Sequence, residues 1–166
     1  MQVLNAILTT LANRIPPFDQ RAVLAAYIAG LIAGWLWYAF VGQMWKQSVL
    51  ATGGDRLNSP RRHIFSSIAQ IVMTIALAVA MQRLNDVSLL GGVHTAFMLW
   101  FGFIMTTMLV NYSNLGQRLT LTFVDGLHWL LVLVVMGAII GSFSQPQVPA
   151  VTPAVAPAAA APATGG

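Results

Sequence analysis

The chain has 166 residues, of which 57% are hydrophobic and only 7% charged: eight Lys or Arg against four Asp or Glu. A soluble domain carries about a quarter of its residues charged, and so few cannot cover its surface. The net charge of +4 is scattered, with no basic cluster larger than Arg61-Arg62, so nothing marks a nucleic-acid partner; with no cysteine, disulfides, thiolate nucleophiles and thiolate metal ligands are excluded.

The charges are also clustered in sequence. Four segments hold no Asp, Glu, Lys or Arg: 22–45, 64–82, 87–117 and 126–166. The first three are 24, 19 and 31 residues long, and one helical crossing of the hydrocarbon layer takes about 20. The expected fold is an all-α integral membrane protein, a four-transmembrane-helix bundle whose first partner is the lipid bilayer.

Residues 1–21 read as an amphipathic leader. Val3, Leu4, Ile7, Leu8 and Leu11 recur at helical spacing with polar residues between them, over too short a run to span. An interfacial helix stopped by Pro16-Pro17 is expected. The first span covers about 22–42 and ends among Trp35, Trp37, Tyr38 and Trp45, rings that favour the headgroup level. A loop from Lys46 to His63 comes next. Ser59-Pro60 has the form of an N-cap with proline in the first turn, which starts the second span, about 64–82. The turn Arg83 to Asp86 leads to the third span, about 89–110, and the turn Asn111 to Arg118 leads to the fourth, about 122–143. These spans make one transmembrane domain, 22–143. Residues 144–166 carry five prolines, many alanines and no charge, and read as a disordered Pro/Ala-rich tail.

Orientation is set by the basic residues. Arg14, Arg21 and Arg83 lie on the side of the termini; Lys46, Arg56, Arg61, Arg62 and Arg118 lie on the other. The excess places the two polar loops in the cytoplasm and both termini outside.

Two stretches carry a family resemblance: Gly34-Trp35-Leu36-Trp37-Tyr38 with Trp45 beyond it, and the run from Gly102 through Asn111-Tyr112 and Asp125-Gly126-Leu127-His128 to Gly137–Gly141. Over roughly residues 22–143 the chain resembles the bacterial membrane proteins catalogued as domain of unknown function 1761 (DUF1761). The resemblance implies a four-helix membrane domain in the bacterial inner membrane. It supplies no activity, and it does not extend to the leader or the tail.

Ionisable groups inside a membrane are costly and therefore informative. There are three, His94, Asp125 and His128. Asp125 and His128 are three apart and share a face of the fourth helix. Their pairing suits a proton relay or cation site. Thr122 to Asp125 also has capping-box spacing, which would put Asp125 in the first helical turn with a structural task. His128, about 5 Å deeper, reads either as a hydrogen-bonded link to a neighbouring helix or as part of a site. Trp35, Tyr38, Asn111, Tyr112 and Asn114 should reach a similar depth, so the candidate patch is Asp125, His128, Asn111, Tyr38 and Trp35, with Tyr112 and Asn114 beside it.

No metal or other cofactor is expected. His94 and His128 differ in level by about 10 Å or more on antiparallel helices, and one ion cannot take both. Nor is there a catalytic set, since no serine in a nucleophile-elbow context accompanies the Asp125/His128 pair, and no P-loop, dinucleotide or His-Glu-x-x-His motif occurs.

Small residues form the clearest physical pattern. Ala22, Ala26, Gly30 and Gly34 recur every four residues, as do Gly137 and Gly141, with Gly126 on the latter face; Gly91, Thr95, Gly102 and Thr106 share a face of the third helix. Such faces let helix backbones approach closely in lipid. The glycine face and the Asp125/His128 face of the fourth helix lie about 150° apart. That helix is therefore central, or one face meets another subunit. Packing signals outnumber chemical ones. The expectation is a non-enzymatic accessory or assembly component that packs or self-associates through glycine faces, as a homo-oligomer or with another membrane protein. The alternative is an oligomeric small-solute or proton carrier, its polar step at Asp125/His128 extended outward by Gln70, Thr74 and His94.

Overall fold

The structure, a computed structural model, describes residues 1–5, 18–50 and 60–143. Residues 2–5 are helical and exposed. The rest of the leader, the middle of the first loop with Ser59, and the Pro/Ala tail lie outside the described residues. Four long helices make up the remainder: α1, Gln20–Leu50; α2, Pro60–Arg83; α3, Leu89–Asn114; and α4, Leu119–Phe143. Each is long and apolar enough to cross a membrane, over Gln20–Gln43, His63–Arg83, Leu89–Asn114 and Leu119–Phe143. Among the described residues there is no strand.

The helix ends obey local chemistry. Asp19 precedes α1, and its carboxylate accepts from the backbone N–H of Arg21 at 2.8 Å, as an N-cap should. The charge pattern predicts a loop from Lys46, but α1 continues to Leu50. No glycine or proline lies between Gln43 and Leu50, so nothing local stops it. Pro60 opens α2, where a missing N–H costs nothing.

Two tight turns connect the remaining helices. Asn85 takes a left-handed conformation (φ 54°), and the Asp86 N–H returns to the Met81 carbonyl at 3.1 Å. Gly116 does the same after α3 (φ 64°), with bonds from Gln117 N to Tyr112 O and from Gly116 N to Ser113 O. Both close in the Schellman manner, which uses carbonyls a helix end leaves open. Between them Ser88 caps α3, accepting from Gly91 N at 2.9 Å.

Helix α4 is the central element. Over an apolar 18-residue stretch of each span, buried residues make up 44% in α4, against 17%, 28% and 11% in α1, α2 and α3. α1 and α3 pack extensively on it, and α2 touches all three more lightly. Both its glycine face and its Asp125/His128 face are covered within one chain.

The tightest packing lies toward the end where α3 begins and α4 finishes. A Cβ at Gly137 would fall on the Gly92 carbonyl, one at Gly92 on the Gly137 carbonyl, and one at Gly141 on the Ser88 carbonyl. The α3 and α4 backbones are thus in contact, and Leu77, Met81, Ala96 and Met136 fill the adjoining core. Toward the other end burial thins on three of the helices. Buried residues on α1 stop at Ala33, those on α3 stop at Ala96, and on α2 the first is Gln70. Only α4 stays buried along its length, from Leu121 to Gly141.

One irregularity governs α3. Residues Trp100–Met105 are π-helical. The Thr106 hydroxyl donates to the Gly102 carbonyl at 2.8 Å and lies 3.2 Å from that of Phe103, a local competition that disturbs the helical ladder. A π turn holds one extra residue, which rotates the remainder of the helix by about 100°. The expected single face of Gly91, Thr95, Gly102 and Thr106 is broken as a result. Gly91 and Thr95 are buried, whereas Gly102 and Thr106 face outward, and among the described residues no atom beyond Gly102's own stretch of helix lies within 4 Å of a Cβ built there. Gly102 is therefore not a packing position inside the chain.

Candidate functional site

The site forms where α1, α3 and α4 meet near the start of α4. Asp125 does not sit in the first turn. The Schellman turn ends at Gln117, so α4 begins at Leu119 and Thr122 is already inside it, buried and not an N-cap. The Thr122–Asp125 spacing places both on one helical face instead. Asp125 consequently lies about 9 Å along the axis from the helix start, with only 8% of its surface exposed.

Two tyrosines hold its carboxylate. Tyr38 of α1 donates to Oδ1 at 3.1 Å, and Tyr112 of α3 donates to Oδ2 at 2.8 Å. A carboxylate in so apolar a setting requires such donors. Both arms have identifiable local causes. On α1, Gly34 faces His128, where a Cβ would come within 3.0 Å of Nε2, so the helices approach closely and Tyr38, one turn on, reaches Asp125. On α3, the π turn swings Tyr112 inward while its neighbour Asn111 points out, exposed.

His128 packs on the Tyr38 ring with centroids 4.7 Å apart and planes tilted by 40°. It is buried, and its Nδ1 has no hydrogen-bond partner among the described residues. The structure thus brings together Asp125, His128 and Tyr38 with Tyr112. It leaves out Asn111 and also Trp35, which is 71% exposed. His94 lies apart on the first turns of α3, exposed, with Nδ1 3.8 Å from an Asp86 carboxylate oxygen.

Gly30, Gly34 and Gly126 belong to the surroundings of this cluster. A Cβ at Gly30 would meet the Gln70 amide nitrogen at 2.6 Å, and one at Gly126 would meet Met105 Sδ at 2.7 Å. Trp100, absent from the sequence-derived site, donates its indole N–H to the Gly126 carbonyl at 2.6 Å. A tryptophan in mid-span, where its N–H must find a protein acceptor, is the signal that identifies it.

In chemical terms the cluster is a carboxylate with two phenol donors and a neighbouring imidazole. It can hold a hydrogen-bond network rigid or pass a proton along it. Among the described residues no three His, Asp or Glu side chains group to hold a metal ion.

Residues 21–141 match the sequence family described as "Protein of unknown function (DUF1761)". No curated protein and no solved structure matches the chain.

Proposed function

The chain belongs to the DUF1761 family, whose description assigns no activity, and on that premise we propose that it is a non-enzymatic membrane component that works by lateral association. The observation that supports this reading most is the double tyrosine clasp. Both oxygens of the carboxylate inside the α4 span are engaged by donors from two other helices. A group tied in this way is a joint between helices rather than a free acid or base.

The associating surface is the outward side of α3. In that span only Gly91, Gly92, Thr95 and Ala96 are buried, and Met98, Gly102, Thr106 and Leu109 lie exposed along it. Gly30, Gly34, Gly126, Gly137 and Gly141 face neighbours within the chain, whereas Gly42 at the end of its span and Gly102 in mid-span meet none among the described residues, and self-association is assigned to the mid-span Gly102 side. There a partner backbone can approach closely. The excess of basic residues on the two polar loops supports a bacterial inner-membrane orientation with both termini periplasmic.

The carrier is the second reading. What favours it is that Gln70 and Thr74, both buried, continue the polar line from His128. Against it, Leu77 and Met81 close that line with no exposed surface. Reconstitution separates the two. Solute or proton flux that disappears in Asp125→Asn supports the carrier; absence of flux together with a mass above one chain supports association.

A further inference from the structure

The second half of α3 shows polar residues to the lipid and keeps less polar ones inside. Thr107 and Asn111 are exposed, whereas their neighbours Met108 and Tyr112 are half-buried. The members of each pair are one helical turn apart and share a face. A bilayer favours the reverse arrangement, since a hydroxyl and an amide gain partners between helices and a thioether loses little among acyl chains. The cause is the π turn at Trp100–Met105, which holds one residue more than an α turn.

That extra residue has a definite geometric effect. Every residue after it stands where its predecessor would stand in an uninterrupted α-helix. If the extra residue passes out of the C-terminal end of α3, Thr107 takes the place of Met108, and Asn111 takes the place of Tyr112. The Asn111 amide, with two N–H donors, then faces the Asp125 carboxylate that now accepts from Tyr112 at 2.8 Å. Asn111 reaches less far than Tyr112, so this register also draws the end of α3 toward α4. Tyr112 turns outward near the end of the span, a depth that suits a tyrosine. The released residue enters the connection to α4: Ser113 takes the helical place of Asn114, and Asn114, a residue suited to turns, lengthens the link.

Four contacts hold the observed register. Trp100 donates to the Gly126 carbonyl at 2.6 Å at one edge of the π turn, and Met105 packs over the same glycine at the other. The Thr106 hydroxyl donates to the Gly102 carbonyl at 2.8 Å. The fourth is the Tyr112 phenol on Asp125, and it is the one that Asn111 can replace.

We propose that α3 is a two-register switch, in which the π turn passes between Trp100–Met105 and the α3–α4 connection and exchanges Tyr112 for Asn111 as the α3 donor to Asp125. The same step exchanges Met108 for Thr107 on the inner side. It links the hydrogen bonding of a buried carboxylate to the face that α3 presents to the bilayer. Helix register shifts of this kind take microseconds to milliseconds. The switch lies within one chain and is independent of the associative role proposed above.

Solid-state NMR of the full chain in lipid bilayers, with carbon-13 in the threonine and methionine methyls, reads the register from Thr107 and Met108. In the native protein, magnetisation from the acyl chains should reach the Thr107 methyl several-fold faster than the Met108 methyl. In the double variant Asn111→Tyr/Tyr112→Asn an uninterrupted helix keeps a phenol on Asp125, so the order should reverse. Tyr112→Phe leaves Asn111 as the α3 donor and should reverse the order too. The buried Met81 and Met136 methyls report whether each variant is folded. Retention of the native order in either folded variant would overturn the proposal. Failure of the double variant to fold would overturn it as well, because the second register gives that variant a complete clasp. If Tyr112→Phe does not fold, the double variant decides alone.

Discussion

Among the described residues, Asp125 is the one carboxylate buried inside a span. Its carboxylate joins three helices through two phenol hydroxyls. Hydrogen bonds between helices in a bilayer are worth about 1 kcal/mol. Tyr112→Phe and Tyr38→Phe should each destabilise the protein by about that amount in a reversible unfolding assay in mixed micelles. In an Asp125→Ala background the tyrosine substitutions should add almost nothing, because their shared acceptor is gone. Full additivity in that double-mutant cycle would mean the clasp does not operate. This site was partly legible in the sequence. A lone carboxylate and a histidine three residues apart, with tyrosines at matching depth on two other spans, already suggest a cluster. Trp35 and Asn111 have the same depth as their neighbours Tyr38 and Tyr112 but the wrong azimuth, and depth alone does not separate them. The Thr122–Asp125 spacing misleads for another reason: i,i+3 pairs occur both at helix starts and along helix faces.

Among the elements, α3 shows why azimuth was hard to read. The sequence Trp100–Met105 carries no marked signature of a π turn, yet that turn rotates everything after it. Deleting Gly102 should restore regular α-helix and keep Tyr112 facing Asp125, because losing one residue turns the following helix by the same angle of about 100° that the π turn supplies. Tyr112→Phe should then keep its cost in the deletion variant, and loss of that cost would mean that the π turn does not set the direction of Tyr112. The glycines divide in the same way. Gly92→Ala or Gly137→Ala forces apart backbones already in contact and should cost about 1–3 kcal/mol. Within one chain Gly102→Ala meets nothing among the described residues, so in micelles that hold the protein as a single chain it should be neutral or slightly stabilising, since alanine is the better helix former by about 0.5–1 kcal/mol. Thermal unfolding of the three variants side by side provides the comparison. Equal losses at Gly92 and Gly102 would mean that the described α3–α4 contact is not the one that stabilises the protein.

The whole molecule is a thin bundle arranged around one buried helix. Its four apolar helices were legible from the gaps between charges, because only apolar residues are tolerated at that depth over such a length. The centrality of α4 was foreshadowed by its two opposed faces of small and polar residues. Sequence periodicity did not reveal that one chain covers both faces, since it describes what a helix presents and not what meets it. With those glycines engaged inside the chain, the association proposed above is assigned to the outward side of α3. The decisive measurement is the native mass of the full chain, released directly from lipid nanodiscs. Lateral association predicts a complex heavier than the 17.8 kDa chain, either a multiple of it or the chain with a stoichiometric partner, and predicts that Gly102→Leu returns it to a single chain. A native protein found only as one chain of 17.8 kDa would contradict the associative role.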